Sequence, residues 1–210
     1  MRVLGIDPGI TRCGIGIVEV DDTRAASLIH YEVIRTQQSL ATHFRLRTVA
    51  DGIDRVISEY EPEVVAVERV FVQENLQSVT TTMQAMGAAM VCAGRANLPL
   101  AIHTPSEVKA AITGSGNAGK AQVQNMVARI LRLSKPPRPA DAADALAIAI
   151  CHAWRGTGLQ GARDDGEVNV TLSGGVRSRR QLTPAQKQWA QALATTRRKG
   201  AVDPRAQRRR

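Results

Sequence analysis

Residues 140–150 read Ala-Asp-Ala-Ala-Asp-Ala-Leu-Ala-Ile-Ala-Ile, and this stretch says more about the fold than any other. It follows three prolines and opens a predicted helix from Asp141 to about Trp154. Apart from two aspartates the stretch is almost wholly apolar, which indicates a helix packed against other elements. Asp141 and Asp144 have the i, i+3 spacing that places both carboxylates on one helix face. Such carboxylates are costly to desolvate unless they are paired or bind a cation.

The sequence before this helix predicts an α/β fold, with a sheet and helices on its faces. Short apolar runs predict strands, and the β-branched run at 64–67 suits a strand buried on both faces. The first three strands follow one another directly, as in an antiparallel meander, whereas the later ones alternate with helices. The predicted strands are residues 2–6, 13–20, 27–34, 64–67 and 98–103, and the predicted helices are residues 49–60, 76–90, 123–131 and 141–154.

Two further carboxylates end predicted strands. Asp7 ends the first strand, and Glu68 ends the run at 64–67. Taken singly, Asp7 is a turn residue before Pro-Gly, Asp141 is a helix N-cap, and Glu68 is a partner for a neighbouring cation such as Arg69. Asp144 has no such simple alternative. Together the four indicate a site for Mg²⁺ or Mn²⁺ rather than zinc, because all the ligands are oxygens. Two ions roughly 4 Å apart suit in-line phosphodiester hydrolysis.

Composition allows one domain and a charged extension. The chain has 210 residues, of which 43% are hydrophobic, enough for a real core. The formal net charge of +9 comes entirely from residues 155–210, which hold 13 of the 28 Lys and Arg and 4 of the 19 Asp and Glu. We therefore predict a domain over 1–154 and a basic, disordered C-terminal tail over 155–210. The excess positive charge indicates an acidic polymer as partner.

Cysteine usage and hydropathy indicate a cytoplasmic protein. Cys13, Cys92 and Cys151 are scattered without metal-binding spacing and are predicted to be small buried thiols. No signal peptide is visible, and no apolar run approaches the ~20 residues that span a bilayer. We expect no membrane contact.

Three motifs carry a family resemblance. They are Leu-Gly-Ile-Asp-Pro-Gly at 4–9, Ala-Val-Glu-Arg-Val-Phe at 66–71 and the stretch at 140–150. Together they resemble the crossover junction endodeoxyribonucleases, the RuvC family, over residues 1 to about 154. The resemblance implies a ribonuclease-H-like fold with a mixed sheet and helices on both faces. It implies a homodimer that resolves Holliday junctions by paired symmetric nicks, in recombination and DNA repair.

The same resemblance implies the site and its partners. It implies two Mg²⁺ ions per subunit, with Mn²⁺ as a substitute, and it implies four-way junction DNA and the RuvA–RuvB branch-migration complex as partners. No family function transfers to residues 155–210, which extend beyond the family pattern. The implied catalytic and metal-binding residues are Asp7, Glu68, Asp141 and Asp144.

Four further residues are assigned to DNA binding. Phe71 follows the second motif and either stacks on an unpaired base at the junction or belongs to the core. Lys109 and Lys120 resemble DNA-contacting lysines of the family, although a lone lysine is usually only solvated. Arg69, next to Glu68, completes the set.

A heptad-like seam predicts the dimer interface. Apolar residues recur at spacings of 3, 4, 3 and 4 between residues 76 and 90, which suits helix–helix packing. The alternative is that this stripe faces the chain's own sheet. A two-fold axis at the seam would match the symmetry of a junction. The seam residues are Leu76, Val79, Met83, Met86 and Met90.

Other functions fit the sequence less well. Gly114 to Lys120 nearly matches a nucleotide-binding P-loop, but Ala121 replaces the required hydroxyl residue and no clear strand precedes it. Residues 7–11 match the phosphate loop of actin-like sugar kinases, yet the chain is too short for a second lobe. A ribosomal-RNA-trimming nuclease of the same fold would not be expected to carry the helix motif. A silent junction-binding protein has no reason to retain four carboxylates.

Overall fold

A computed structural model of the chain describes residues 1–69 and 76–155, without the side chains of 76–78. The predicted roles of Phe71, of the Leu76 side chain and of the tail beyond Arg155 lie outside the described residues. The strands are β1 (Arg2–Asp7), β2 (Arg12–Val20), β3 (Ala26–Arg35), β4 (Val64–Glu68) and β5 (Leu100–His103). The helices are α1 (Thr42–Tyr60), α2 (Leu76–Arg95), α3 (Pro105–Thr113), α4 (Lys120–Ile130) and α5 (Ala140–Arg155).

The strands form one mixed sheet in the order β3-β2-β1-β4-β5. β1, β2 and β3 are antiparallel, and β1, β4 and β5 are parallel. The α/β prediction with antiparallel first strands is confirmed. Because β1 and β4 are parallel and Ile6 is in register with Val67, Asp7 and Glu68 end neighbouring strands at the same edge of the sheet. The edge at which parallel strands end is where sheets of this kind place their sites.

Helices cover both faces of the sheet, as predicted. On one face α1 and α2 pack on β1, β2 and β4 through residues such as Val49, Ile53 and Cys92. On the other face α5 packs against the sheet, and α3 and α4 pack against α5. Every residue of α5 from Ala142 to His152 is buried except Asp144, which is partly exposed. The central helix therefore combines an apolar body with two acids in its first two turns.

α5 approaches the sheet so closely that side chains are excluded at three points. A Cβ atom added to Gly5 would lie 2.1 Å from the Ala145 carbonyl oxygen, and one added to Gly16 would lie 2.6 Å from the Leu146 nitrogen. Gly5 and Gly16 are register partners on β1 and β2. The third point is Gly14, where an added Cβ would lie 2.1 Å from the Asp141 carbonyl oxygen. The helix thus rests its backbone on a glycine-lined groove.

One helix was absent from the sequence-based expectation. α3 begins after Thr104, whose hydroxyl accepts a hydrogen bond from the Glu107 backbone N–H while Glu107 accepts one from the Thr104 N–H. The sequence Thr-Pro-Ser-Glu at 104–107 is typical of such a capping box with proline at the first helical position, and it could have predicted the helix. α3 ends at Thr113 and is capped by Gly114, which has φ 81°. The glycine-rich segment therefore joins two helices, which excludes the strand–loop–helix context of a P-loop.

One smaller expectation, that of buried thiols, is also met. Cys13, Cys92 and Cys151 are all free and buried. In the part of the chain that the structure describes, no helix is long and apolar enough to cross a membrane.

Candidate metal centre

Four carboxylates converge at the edge of the sheet where β1 and β4 end. Asp7, the last residue of β1, is the most perturbed of them. Its pKa is raised to about 7, chiefly by burial and then by the negative charges of Asp144, Glu68 and Asp141. An acid is perturbed in this way when like charges lie close to it in a site shielded from water. The structure thus brings together all four acids predicted from the sequence.

Glu68 is the second perturbed acid. Burial and the charge of Asp144 raise its pKa, while Lys109 and Lys120 act in the opposite direction. Both lysines predicted to contact DNA are therefore close enough to the acidic cluster to affect it. Arg69 is exposed and donates its backbone N–H to the carbonyl of His103, 2.7 Å away. The DNA-contacting roles of these three residues stay predictions.

Two of the acids form ion pairs. The Nζ atom of Lys120 lies 2.7 Å from Oδ2 of Asp144, and this hydrogen bond is the main reason why the pKa of Lys120 is raised. The NH2 atom of Arg12 lies 2.5 Å from Oδ2 of Asp141. Each helix acid therefore has one cation beside it. Arg12 was not among the predicted site residues.

The donor set fits a hard divalent cation, although the side chains are not arranged as ligands. Among the described residues, no three His, Cys, Asp or Glu side chains are placed so that they could hold a metal ion together. Two of the four acids are instead ion-paired, Asp141 with Arg12 and Asp144 with Lys120. Oδ2 of Asp141 is nevertheless buried and accepts no hydrogen bond, since the nearby guanidinium is poorly aligned with it. An unsatisfied buried oxygen beside three other carboxylates suits Mg²⁺ or Mn²⁺.

The simpler interpretations of the single acids do not hold. α5 begins at Ala140, so Asp141 lies inside the first turn and is not the N-cap. Asp7 is paired with Gly14 within the sheet and is not a loop residue. The ion pairs found among residues 1–69 and 76–155 do not include one between Glu68 and Arg69.

A buried histidine pair next to the acids was also missed. Nε2 of His103 lies 3.0 Å from Nδ1 of His152, and each residue is only 3% exposed. His103 is the register partner of Glu68, and His152 lies on α5 two helical turns after Asp144. Burial lowers the pKa of His152 to about 4, so the pair is neutral at pH 7. The bond joins the strand edge that holds Glu68 to the helix that holds Asp144.

The predicted dimer seam is only partly exposed. Met83 and Met90 are 55% and 42% exposed, but Met86 packs against the chain's own core. The five-residue seam is therefore wrong as one continuous surface, because α2 is turned so that Met86 faces the sheet. The helix instead presents an outward stripe with helical spacing, which we call the α2 stripe. It consists of Met83, Gly87, Met90, Val91 and Gly94.

The sheet order, the buried helix and the acidic cluster together define a class, the nucleases of ribonuclease-H-like fold. Within that class, the family model described as crossover junction endodeoxyribonuclease RuvC matches residues 3–152. The chain belongs to the RuvC family.

Relatives extend this match beyond the nuclease domain. A crossover junction endodeoxyribonuclease RuvC from Leifsonia xyli is 51% identical over 208 residues, which cover 99% of each chain. One from Streptomyces avermitilis is 57% identical over 155 residues, or 74% of this chain and 88% of the relative. The first alignment takes in residues 155–210, so an extension of this length also occurs in a relative.

Solved structures agree in fold. The Thermus thermophilus RuvC in complex with Holliday junction substrate matches with a TM-score of 0.71 and 39% identity, covering 74% of this chain and 94% of that one. A yeast mitochondrial Holliday junction resolvase matches with a TM-score of 0.52 at 15% identity, covering 72% and 78%, which supports the fold alone.

Proposed function

We propose that this chain is a divalent-metal-dependent endonuclease that resolves Holliday junctions by paired symmetric nicks, in recombination and DNA repair. The observation that carries the proposal is the burial of Asp7 beside three other carboxylates where β1 and β4 end, an arrangement that raises its pKa to about 7. Such a cluster is costly by itself and becomes favourable when a cation joins it. Membership in a family of junction endonucleases supports the choice of substrate.

The protein groups have distinct tasks in this proposal. Two Mg²⁺ ions held by the four carboxylates would activate the attacking water and stabilise the leaving 3′-oxygen, and Mn²⁺ would substitute for them. Lys120 and Arg12, which pair with Asp144 and Asp141 in this structure, would face the scissile phosphate once those two acids held the metal. Lys109, whose charge acts on Glu68, contacts a neighbouring phosphate in this proposal. The metal ligands are Asp7, Glu68, Asp141 and Asp144.

Paired nicks require two active sites, which we assign to a homodimer formed through the α2 stripe. Its methionines and Val91 are exposed, and Gly87 and Gly94 have open space beside them. Exposed apolar side chains flanked by glycines allow two helices to approach closely. The Met83→Glu, Met90→Glu double variant is expected to sediment as a monomer and to lose paired nicking. A variant that stays dimeric would exclude this helix as the interface.

The setting follows from the substrate. A junction resolvase acts on chromosomal DNA, so we place the chain in the cytoplasm of a bacterial cell. The RuvA–RuvB branch-migration complex is the partner that the family resemblance implies. Co-sedimentation of the chain with a RuvA–RuvB–junction complex would test that partner directly.

Product mapping on a synthetic four-way junction tests the function itself. With Mg²⁺ the wild-type chain is expected to give two nicks at symmetric positions in opposing strands, and none with EDTA. Asp144→Asn is expected to bind the junction without cutting it, because it removes one ligand charge and leaves the fold in place. Cutting by this variant at the wild-type rate would contradict the metal assignment. Cleavage of structured RNA in preference to the junction would contradict the substrate.

A further inference from the structure

A positively charged region of the surface lies beside the acidic cluster, on the α5 side of the sheet. A cleft of about 990 Å³ opens between strand β3, helix α4 and the segment that leads into α5. Leu28 and Tyr31 of β3 line one wall, and Gln124 of α4 lines another. The remaining wall is the segment from Leu133 to Ala140, which supplies Lys135 and Arg138.

The charge of this cleft is positive and uncompensated. Lys135 and Arg138 are both exposed. Neither belongs to any ion pair found in residues 1–69 and 76–155, and the described residues that line the cleft include no acid. Other exposed arginines, such as Arg55 and Arg95, do have carboxylate partners. Two unpaired cations in one concave wall favour an anionic occupant.

The cleft also contains an accessible aromatic ring. Tyr31 is 37% exposed and lies opposite Gly16 of β2, which has no side chain to cover it. A tyrosine ring offers a flat face to a base or sugar, and its hydroxyl can donate to a phosphate. An aromatic ring in the same cleft as two cations is typical of a nucleic-acid contact and less so of a site for a small anion.

The position of the cleft ties it to the carboxylates. Ala140 lines the cleft and directly precedes Asp141. Across the sheet, Asp7 is paired with Gly14 and Gly14 with Val33, two residues from Tyr31. Strand geometry then separates the Tyr31 and Asp7 backbones by about 12 Å, from two strand spacings and two residue rises. This distance spans only a few phosphates of a DNA strand.

We propose that this cleft, with Tyr31, Lys135 and Arg138, binds the DNA backbone a few phosphates from the scissile one and so fixes the direction in which that junction arm leaves the site. The proposal rests on the proposed function, since it takes the scissile phosphate to lie at the carboxylates. It gives a binding role to the proline-containing segment that precedes α5.

Salt dependence of junction binding tests the proposal with the full-length chain. The Lys135→Gln, Arg138→Gln double variant is expected to lower the slope of log affinity against log salt by about 2, because each lost phosphate contact removes roughly 0.9. The matched control is Arg47→Gln, Arg55→Gln, which removes the same charge from α1 on the opposite face of the sheet. This control is expected to keep the wild-type slope. Thermal melting of both variants verifies that they are folded.

A modified junction locates the contact. Neutral methylphosphonates at the second, third and fourth phosphates from the cut are expected to weaken binding of the wild-type chain and of the control. They are expected to have no further effect on the cleft variant, because its contact is already lost. Equal losses in all three proteins would overturn the proposal, and so would a wild-type salt slope in the cleft variant. Wild-type cleavage in the same samples reports separately on the proposed function.

Discussion

The two faces of the sheet are packed in different ways. On the α1 and α2 face, side chains such as Ile53 and Val56 interdigitate with strand residues, as in most α/β cores. On the α5 face, the helix backbone lies directly on Gly5 and Gly16, with no side chain between them. The first face can relax around a changed side chain, whereas an atom added at these two glycines would meet helix backbone, which cannot move aside as a side chain can.

The difference explains how the acidic cluster is held. An added Cβ at Gly14 would lie 2.1 Å from the Asp141 carbonyl oxygen and 3.2 Å from the Asp7 Cβ. Gly14 therefore lies in contact with both the end of β1 and the start of α5, and there is no room for a side chain at this position. A helix that packed through ordinary side chains would sit farther from the sheet, and its two acids would not reach Asp7. Close backbone packing is what makes the site possible.

Gly5→Val should break this arrangement most severely. The added Cβ would lie 2.1 Å from the Ala145 carbonyl oxygen, which belongs to a helix backbone. We expect a loss of about 4 kcal/mol or more in the free energy of unfolding, at the extreme end of single substitutions. Urea denaturation, or failure to recover folded protein, measures it. A fully stable variant would show that α5 does not rest on the groove.

Ile53→Ala removes a buried side chain on the opposite face of the sheet. Ile53 is fully buried between α1 and the sheet, and its truncation should cost about 3 kcal/mol. Because the cavity lies away from the carboxylates, cleavage per folded molecule is expected to stay at the wild-type rate. Urea denaturation and junction cleavage at low temperature measure the two effects. A large fall in the cleavage rate would mean that the two faces are coupled.

Asp7→Asn tests the acids themselves. We expect cleavage to fall by about 100-fold or more, since one charged metal ligand is lost. Without metal, the variant is expected to be the more stable protein at pH 8. The pKa of Asp7 is raised from 3.8 to about 7, so ionisation destabilises the wild-type fold. Wild-type stability should fall as pH rises from about 4 to about 7 and then level off.

Melting in EDTA between pH 4 and pH 8 separates this effect from catalysis. The asparagine side chain of the variant cannot ionise, so the variant should lose much of the pH dependence over that range, apart from the smaller part due to Glu68. Added Mg²⁺ or Mn²⁺ should raise the melting temperature of the wild-type chain more than that of the variant. Equal pH profiles for the two proteins would contradict the burial of Asp7 among like charges.

The same contrast explains what could be predicted from the sequence. The four acids were identifiable because each interrupts or ends an apolar run, which is a local signal. The strands at 13–20 and 64–67 were also identifiable from a local signal, because each is a run of mainly apolar residues. The glycine groove was not, since a glycine in a strand acquires its meaning only from the element that packs on it. Nor could the pairing of His103 with His152 be inferred, because 49 residues separate them.

Gly87→Ala should have the smallest effect, and it completes the comparison between the glycines. Gly87 lies within α2, and an added Cβ would meet nothing within 4 Å. Alanine should therefore stabilise the isolated subunit by up to about 1 kcal/mol, from helix propensity alone. Urea denaturation at a concentration where sedimentation shows monomers measures this gain. If the α2 stripe forms the dimer, the added methyl group should weaken association, because Gly87 then has a second helix beside it. If the subunit gains stability and dimerisation is unchanged, the partner helix lies elsewhere. If the monomer instead loses several kcal/mol of stability, Gly87, like Gly5, is covered by another part of the same chain.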